Sequence, residues 1–329
     1  MNPTRQRSVP RSDLRSALVV ISHLGFTYMP VYLAAVSGPS LMLVVFWIWF
    51  GLCKNGVINL MHECAHLLTF RRRWANELLG STILAPLVIT DFFEYRRRHW
   101  EHHRHLGTPR DAKTVYHTDI RGGRRLASLV FRSLLGVEAF RRLTERPADR
   151  SGEVGVKHAG ASLRLVAMQA TFLASIAAVS FMTHPSLQVA LLSAGLAYGF
   201  VYGYGLASLT VLAAALRAIA EHQIGDDASA IEGNAALRNL RCNAMTRLIF
   251  GAYGFGEHAT HHSQPGVPYY QLPSLTLELV QTDPAMEFGP GYLATLAKLS
   301  RGRAPLRAKG GVLVEPAAEI PASRYAERP

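Results

Sequence analysis

Apolar and polar positions fall along this chain in long blocks rather than in short alternation. Two stretches, Ser16 to Cys53 and Leu165 to Leu216, contain no Asp, Glu, Lys or Arg. A helix that crosses a bilayer takes roughly 20 apolar residues, so each stretch holds two passes. Each is also punctuated near its middle, by Ser37-Gly38-Pro39 in the first and by Thr183-His184-Pro185 in the second. Pro and Gly between apolar runs mark a turn. The pattern therefore predicts an all-α integral membrane fold with four transmembrane helices in two hairpins. The expected spans cover about 16–36, 40–61, 165–182 and 187–216. A run of 52 uncharged residues, the second stretch, is foreign to the buried helices of a soluble core.

Shorter patterns fill the remainder. Asn76 to Phe93 is apolar but short, and Arg71-Arg72-Arg73 and Arg96-Arg97-Arg98 bound it. Basic flanks on both sides predict a segment that lies along, or dips into, the membrane interface. Leu126, Leu129, Val130, Leu134, Val137 and Phe140 recur at near-helical spacing among arginines, the pattern of an amphipathic surface helix. Residues 1–13 and 301–329, rich in Arg, Pro, Ala and Gly, are expected to be flexible tails, leaving 14–300 as one membrane domain. Arg5, Arg7, Arg11 and Arg15 precede the first apolar run as they would in a signal peptide. The run is too long for that and continues into a second one, so a retained first span is expected.

Charge adds sidedness. The chain carries a net charge of +12, and all 35 Lys and Arg lie outside the two uncharged stretches. Lys and Arg beside helix ends mark the cytoplasmic side, so both hairpins are expected to begin and end in the cytosol, with both termini and a helical cap there. Attraction to anionic headgroups accounts for the basic balance, and no nucleic-acid partner is needed. Cys53, Cys64 and Cys242 form no pair with metal-ligand or disulfide spacing.

The candidate chemistry lies in the histidines. Nine of fourteen fall in four clusters, all on the cytosolic side of the deduced topology. His62 and His66 end the second span; a spacing of four puts both imidazoles on one helix face. His99, His102 and His103 present one face with an adjacent pair that can diverge toward two metals. His222 stands alone after the fourth span, and His258, His261 and His262 repeat the second cluster's spacing. Imidazoles bunched at a membrane face are costly unless a cation organises them. Neutral imidazole suits zinc, copper, iron and nickel, so ligand type alone does not name the metal. Eight or more ligands favour two ions, because a single zinc site uses about four. His62-Glu63-Cys64-Ala65-His66 also fits the zinc-protease pattern HExxH, but that reading leaves seven clustered histidines unexplained.

With these residues in hand, the chain resembles the membrane fatty acid desaturases over roughly residues 40–275. His62 to His66 looks like their HxxxH box, and His99 to His103 and His258 to His262 look like their two HxxHH boxes. The segment Gln264 to Pro273 is similar to the one that follows the last box. The resemblance implies a four-span bundle whose cytosolic helical cap carries the boxes, with two non-haem irons held by the nine histidines and His222 as the extra ligand. Glu63, His105, Asp111 and Glu221 are the candidate residues around the ligands, where carboxylates orient imidazoles. Ala218 stands where some members carry asparagine, and Thr260 where many carry glutamate.

The implied reaction is the dioxygen-dependent insertion of a double bond into a fatty acyl chain, in a lipid or an acyl thioester. Hydroxylation or ketolation at the same site is the alternative. The chain contains no cytochrome-like or iron–sulfur module, so the resemblance implies an external electron donor, such as a ferredoxin or cytochrome-type protein, besides the membrane lipids around it.

Overall fold

Uncharged sequence becomes helix here because a helix satisfies its own backbone polar groups, the condition for lying in lipid. The structure, a computed structural model, describes residues 12–108, 110–111, 122–144, 160–223 and 233–302, and within these it is helical with very little sheet. Nearly all of both expected tails lies outside the described residues. Among the described residues, four helices are long and apolar enough to cross a membrane: α1 (Asp13–Ser37), α2 (Met42–Ala65), α7 (Ala161–Thr183) and α8 (Leu187–Glu221). The fourth is longer than the uncharged pattern predicts, because α8 continues past Leu216 through Arg217 to Glu221.

α1 is capped by the Ser12 hydroxyl, which accepts from the Arg15 amide. It ends at Gly38, whose φ of +67° is one that a side chain resists. α1 packs on α2, α7 on the first part of α8, and α1 also on α7. Small residues let α2 and α8 approach closely. A Cβ on Gly51 would lie 2.5 Å from the Leu209 side chain. Wide π-type turns run through α8 at Leu196–Tyr204 and Leu206–Thr210. Their inner face carries Val201 and fully buried Tyr202 into a core with Val31, Phe50, Leu60 and Ile176.

The outer surface of the spans is apolar. Ile21, Val166, Met182 and Leu191 are all exposed, and only 17% of the apolar window of α7 is buried. An apolar belt of this extent has no place in water, and the chain is an integral membrane protein. Polar side chains within the belt turn inward to backbone carbonyls: Ser180 Oγ donates to Ala190 at 2.8 Å and Gln169 Nε2 to Pro86 at 2.8 Å.

Between α2 and α7 lie α3 (Arg73–Leu87), α4 (Phe92–His105), α5 (Gly123–Leu134) and α6 (Val137–Thr144). α3 and α4 meet at a bend of 98°, within the stretch expected to lie along the interface. Ile89 makes the turn with φ +56°, and the Asp91 carboxylate restarts the helix by accepting from the Glu94 amide at 2.7 Å. The amphipathic pattern of residues 126–140 becomes two helices rather than one, broken at Gly136 with φ +74°. Phe131, Leu135, Phe140 and Leu143 remain exposed there.

After α8 the chain forms β1 (Asn239–Leu240), α9 (His258–Ser263), α10 (Leu272–Leu279), β2 (Phe288–Gly289) and α11 (Tyr292–Ser300). β1 and β2 pair in parallel, which draws α11 back beside α8.

Candidate metal centre

Four helices meet beside this region. α2 supplies His62 and His66, α4 supplies His99, His102 and His103, the end of α8 supplies Glu221 and His222, and α9 supplies His258, His261 and His262. The 98° bend turns α4 back so that its histidines face those of α2. Left-handed turns at Tyr253 (φ +56°) and Gly254 (φ +76°) set the direction of α9. All nine histidines are brought together, and eight of them are 8% exposed or less.

The nitrogen atoms converge in two groups. One ligand atom each from His62, His66, His99, His103 and His261 lies within 4.8 Å of all the others, and Glu221, His222 and His258 form a second such set. His102 and His262 lie between the groups. The His102 Nε2 is 3.5 Å from His222 Nε2, and the His262 ring stacks on His103 at 3.9 Å and meets His258 at 4.6 Å. His99 Nε2 faces both His66 Nε2 at 2.7 Å and His103 Nε2 at 3.0 Å. A ring nitrogen carries one proton or one lone pair, so it does not serve two such neighbours well through hydrogen bonds alone. His258 Nδ1 and Nε2 and His262 Nε2 are buried without a hydrogen-bond partner among the described residues. A buried concentration of nitrogen donors with these separations fits metal cations.

Burial keeps these imidazoles ready to ligate. His103, His258 and His262 titrate well below the ordinary histidine value, first because burial penalises the charged form and then because neighbouring imidazoles repel it. They are neutral at physiological pH, the state in which imidazole binds metal.

The surrounding residues fix which nitrogen points inward. The Asp111 carboxylate contacts His102 Nδ1 at 2.8 and 3.0 Å and accepts from the Gly107 amide at 3.2 Å. The Asp111 carboxylate thus lies within hydrogen-bonding distance of the His102 ring. His222 Nδ1 lies 2.8 Å from the Ala218 carbonyl, so a backbone group aims this imidazole where the Ala218 side chain has nothing to offer. Glu63 is 1% exposed; it lies 3.7 Å from His62 Nδ1 and accepts from the Tyr269 amide at 3.3 Å. His105 is partly buried at the end of α4, and its carbonyl holds the Thr108 turn. The Glu221 carboxylate lies close to His222 and His258, within the second convergent set.

Sequence reasoning passed over several residues packed against the cluster. Trp100 covers His66 at 4.8 Å, Tyr95 stacks on His99 at 5.8 Å, and Phe255 lies between His62 at 4.7 Å and His258 at 5.4 Å. Thr260, inside the last cluster, contacts the Thr276 hydroxyl at 2.7 Å. Asn239 Nδ2 donates to Thr260 Oγ1 at 3.0 Å, and the Thr260 amide donates to Asn239 Oδ1 at 3.1 Å. Of these, Thr260 is the residue noted above as standing where many members carry glutamate, and Trp100 had a local signal in its position inside a histidine cluster.

Apolar spans joined to a buried, histidine-lined centre define a helical membrane protein with a candidate metal site. The sequence profile of the fatty acid desaturase family matches residues 39–291, and the chain belongs to that family. Among individual proteins it is similar to an sn-1 oleoyl-lipid 12-desaturase of Synechocystis sp., 32% identical over 26% of this chain and 22% of that protein. A second sn-1 oleoyl-lipid 12-desaturase, from Anabaena variabilis, is 30% identical over 29% of this chain and 26% of its own length. A zeaxanthin 4-ketolase of Chlamydomonas reinhardtii is 29% identical over 31% of this chain and 26% of its own. The matched stretch thus spans only about a quarter of each relative.

Proposed function

We propose that this protein is a di-iron membrane oxidase that uses dioxygen to introduce a double bond into a fatty acyl chain, in a lipid or an acyl thioester. The observation that carries the reading is the convergence of nine imidazoles from α2, α4, α8 and α9 in one buried cluster at one end of the spans. His62, His66, His99, His102, His103, His222, His258, His261 and His262 would hold the metals. Two such irons supply the oxidising power to break an unactivated C–H bond, using dioxygen and two electrons from an external ferredoxin or cytochrome-type donor. The two hydrogens removed from the acyl chain, the two donor electrons and two protons from solvent would together reduce dioxygen to two waters.

The protein's own part is to position and to exclude water. Asp111 and the Ala218 carbonyl orient imidazoles, while Trp100, Tyr95 and Phe255 close the cluster against solvent. The acyl chain enters sideways from the bilayer between the spans, beneath the cap. The positive-inside pattern supports a two-hairpin topology with the cap and both termini in the cytosol.

The similarity to a ketolase, at an identity close to that of the desaturases, favours oxygen insertion into a lipid-like substrate as a second reading. Metal analysis and lipid mass spectrometry of an expressing host test both. About two irons per chain and an acyl product lighter by two hydrogens are expected. Gain of oxygen selects the second reading. A single tightly held zinc with unchanged lipids overturns both.

A further inference from the structure

The second convergent set contains a carboxylate that the nine-histidine reading does not use. Glu221 ends α8, is 1% exposed, and shares its cluster with His222 and His258. Its two oxygens are treated differently. Oε1 accepts from the Tyr292 hydroxyl at 2.6 Å. Oε2 lies 3.9 Å from His258 Nε2 and 3.9 Å from a guanidinium nitrogen of Arg217, one turn earlier on α8.

Each neighbour is itself fixed. Tyr292 is fully buried, its ring stacks on Phe250 at 5.1 Å, and its hydroxyl also lies 3.0 Å from the Phe255 carbonyl. A hydroxyl has one proton, and the shorter contact sends it to the carboxylate. Arg217 donates to Asn59 Oδ1 at 2.9 Å and lies 4.0 Å over the Phe255 ring. The short bond of Oε1 runs to Tyr292, and Oε2 lies on the side of the second set, 3.9 Å from His258 Nε2.

Charge supports the same assignment. Neutral imidazoles alone around two divalent ions would leave four positive charges in a buried volume, where uncompensated charge is costly. We propose that Glu221 is a tenth metal ligand, held in place by Tyr292 and Arg217, so that the second metal has an anionic ligand and the first has imidazoles alone. This rests on the two-metal reading above and makes the two ions chemically unlike.

The test is titration of cobalt(II) into the metal-stripped full-length protein in lipid nanodiscs, followed by optical absorption and by bound-metal analysis. The wild type is expected to take up two ions in two distinguishable steps. Glu221→Gln keeps the shape and removes the charge; its second step is expected to weaken by about 10- to 100-fold, with the first unchanged. Glu221→Asp is expected to regain part of that loss. Tyr292→Phe keeps both ions, with the second weakened by up to about 10-fold and its absorption band shifted. Circular dichroism shows whether each variant is folded, and Tyr292→Phe decides the matter if Glu221→Gln is not. Two wild-type-like steps in both Glu221→Gln and Tyr292→Phe overturn Glu221 as a ligand while leaving the two-metal reading intact. A wild type that binds only one ion overturns that reading and this assignment together.

Discussion

One end of the buried cluster gathers five imidazoles, His62, His66, His99, His103 and His261. The other gathers two imidazoles with a carboxylate, His222, His258 and Glu221. The first end is built from helical repeats within two helices: spacing of four in α2, spacing of four in α4, and one histidine from α9. The second depends on a helix terminus, a buried arginine and a tyrosine 71 positions further on. The contrast shows two routes to one kind of site. Helical periodicity places like groups together locally, whereas setting a charge beside them takes partners distant in sequence.

Substitution of single histidines tests this comparison most severely. His261→Ala at the first end and His258→Ala at the second are each expected to lower turnover at least about 100-fold, since losing a ligand exceeds the usual cost of losing its support. Metal analysis should show one ion lost in each, and full activity in either variant would remove that histidine from the site. Asp111→Asn, which weakens the support of His102 between the two ends, is expected to cost about 10- to 100-fold in metal affinity by chelator competition.

Thr260→Val removes the buried hydroxyl to which Asn239 Nδ2 donates and which contacts Thr276. It is expected to destabilise the fold by about 1–3 kcal/mol, seen as a lower thermal midpoint, while Thr260→Ser retains most of the stability. His184→Ala should have the smallest effect. Its Nε2 donates to the Ala35 carbonyl at 3.0 Å between the tips of the spans, far along the helices from the cluster. A cost of about 1 kcal/mol with unchanged turnover is expected, and a loss of activity would extend the site to the opposite end of the spans.

Much of this was legible in the chain itself. The uncharged stretches and their proline-containing breaks gave four spans, because lipid admits long helices with no charge on them. The helix periodicity of the histidines gave their faces. What local pattern reported less well was where elements end and turn. α8 continues through Arg217 to Glu221 because the arginine is paired with Asn59 and the ring of Phe255, partners no window around it contains. The surface helix of residues 126–140 breaks at Gly136, and the 76–93 segment bends at Ile89, a residue whose side chain ordinarily disfavours positive φ.

By itself, then, the sequence determined the spans, the family and the nine histidines, because hydrophobic runs and helical spacing are properties of neighbours in the chain. Only the tertiary structure decided that the cluster has two unlike ends, that Glu221 stands in one of them, and that Tyr292 and Asp111 hold their partners at 2.6 and 2.8 Å. Those contacts are made by the bend between α3 and α4 and by the β1–β2 pairing that returns α11 to α8. Such contacts are selected by burial and hydrogen bonding across the fold, which leave no periodic trace in the chain.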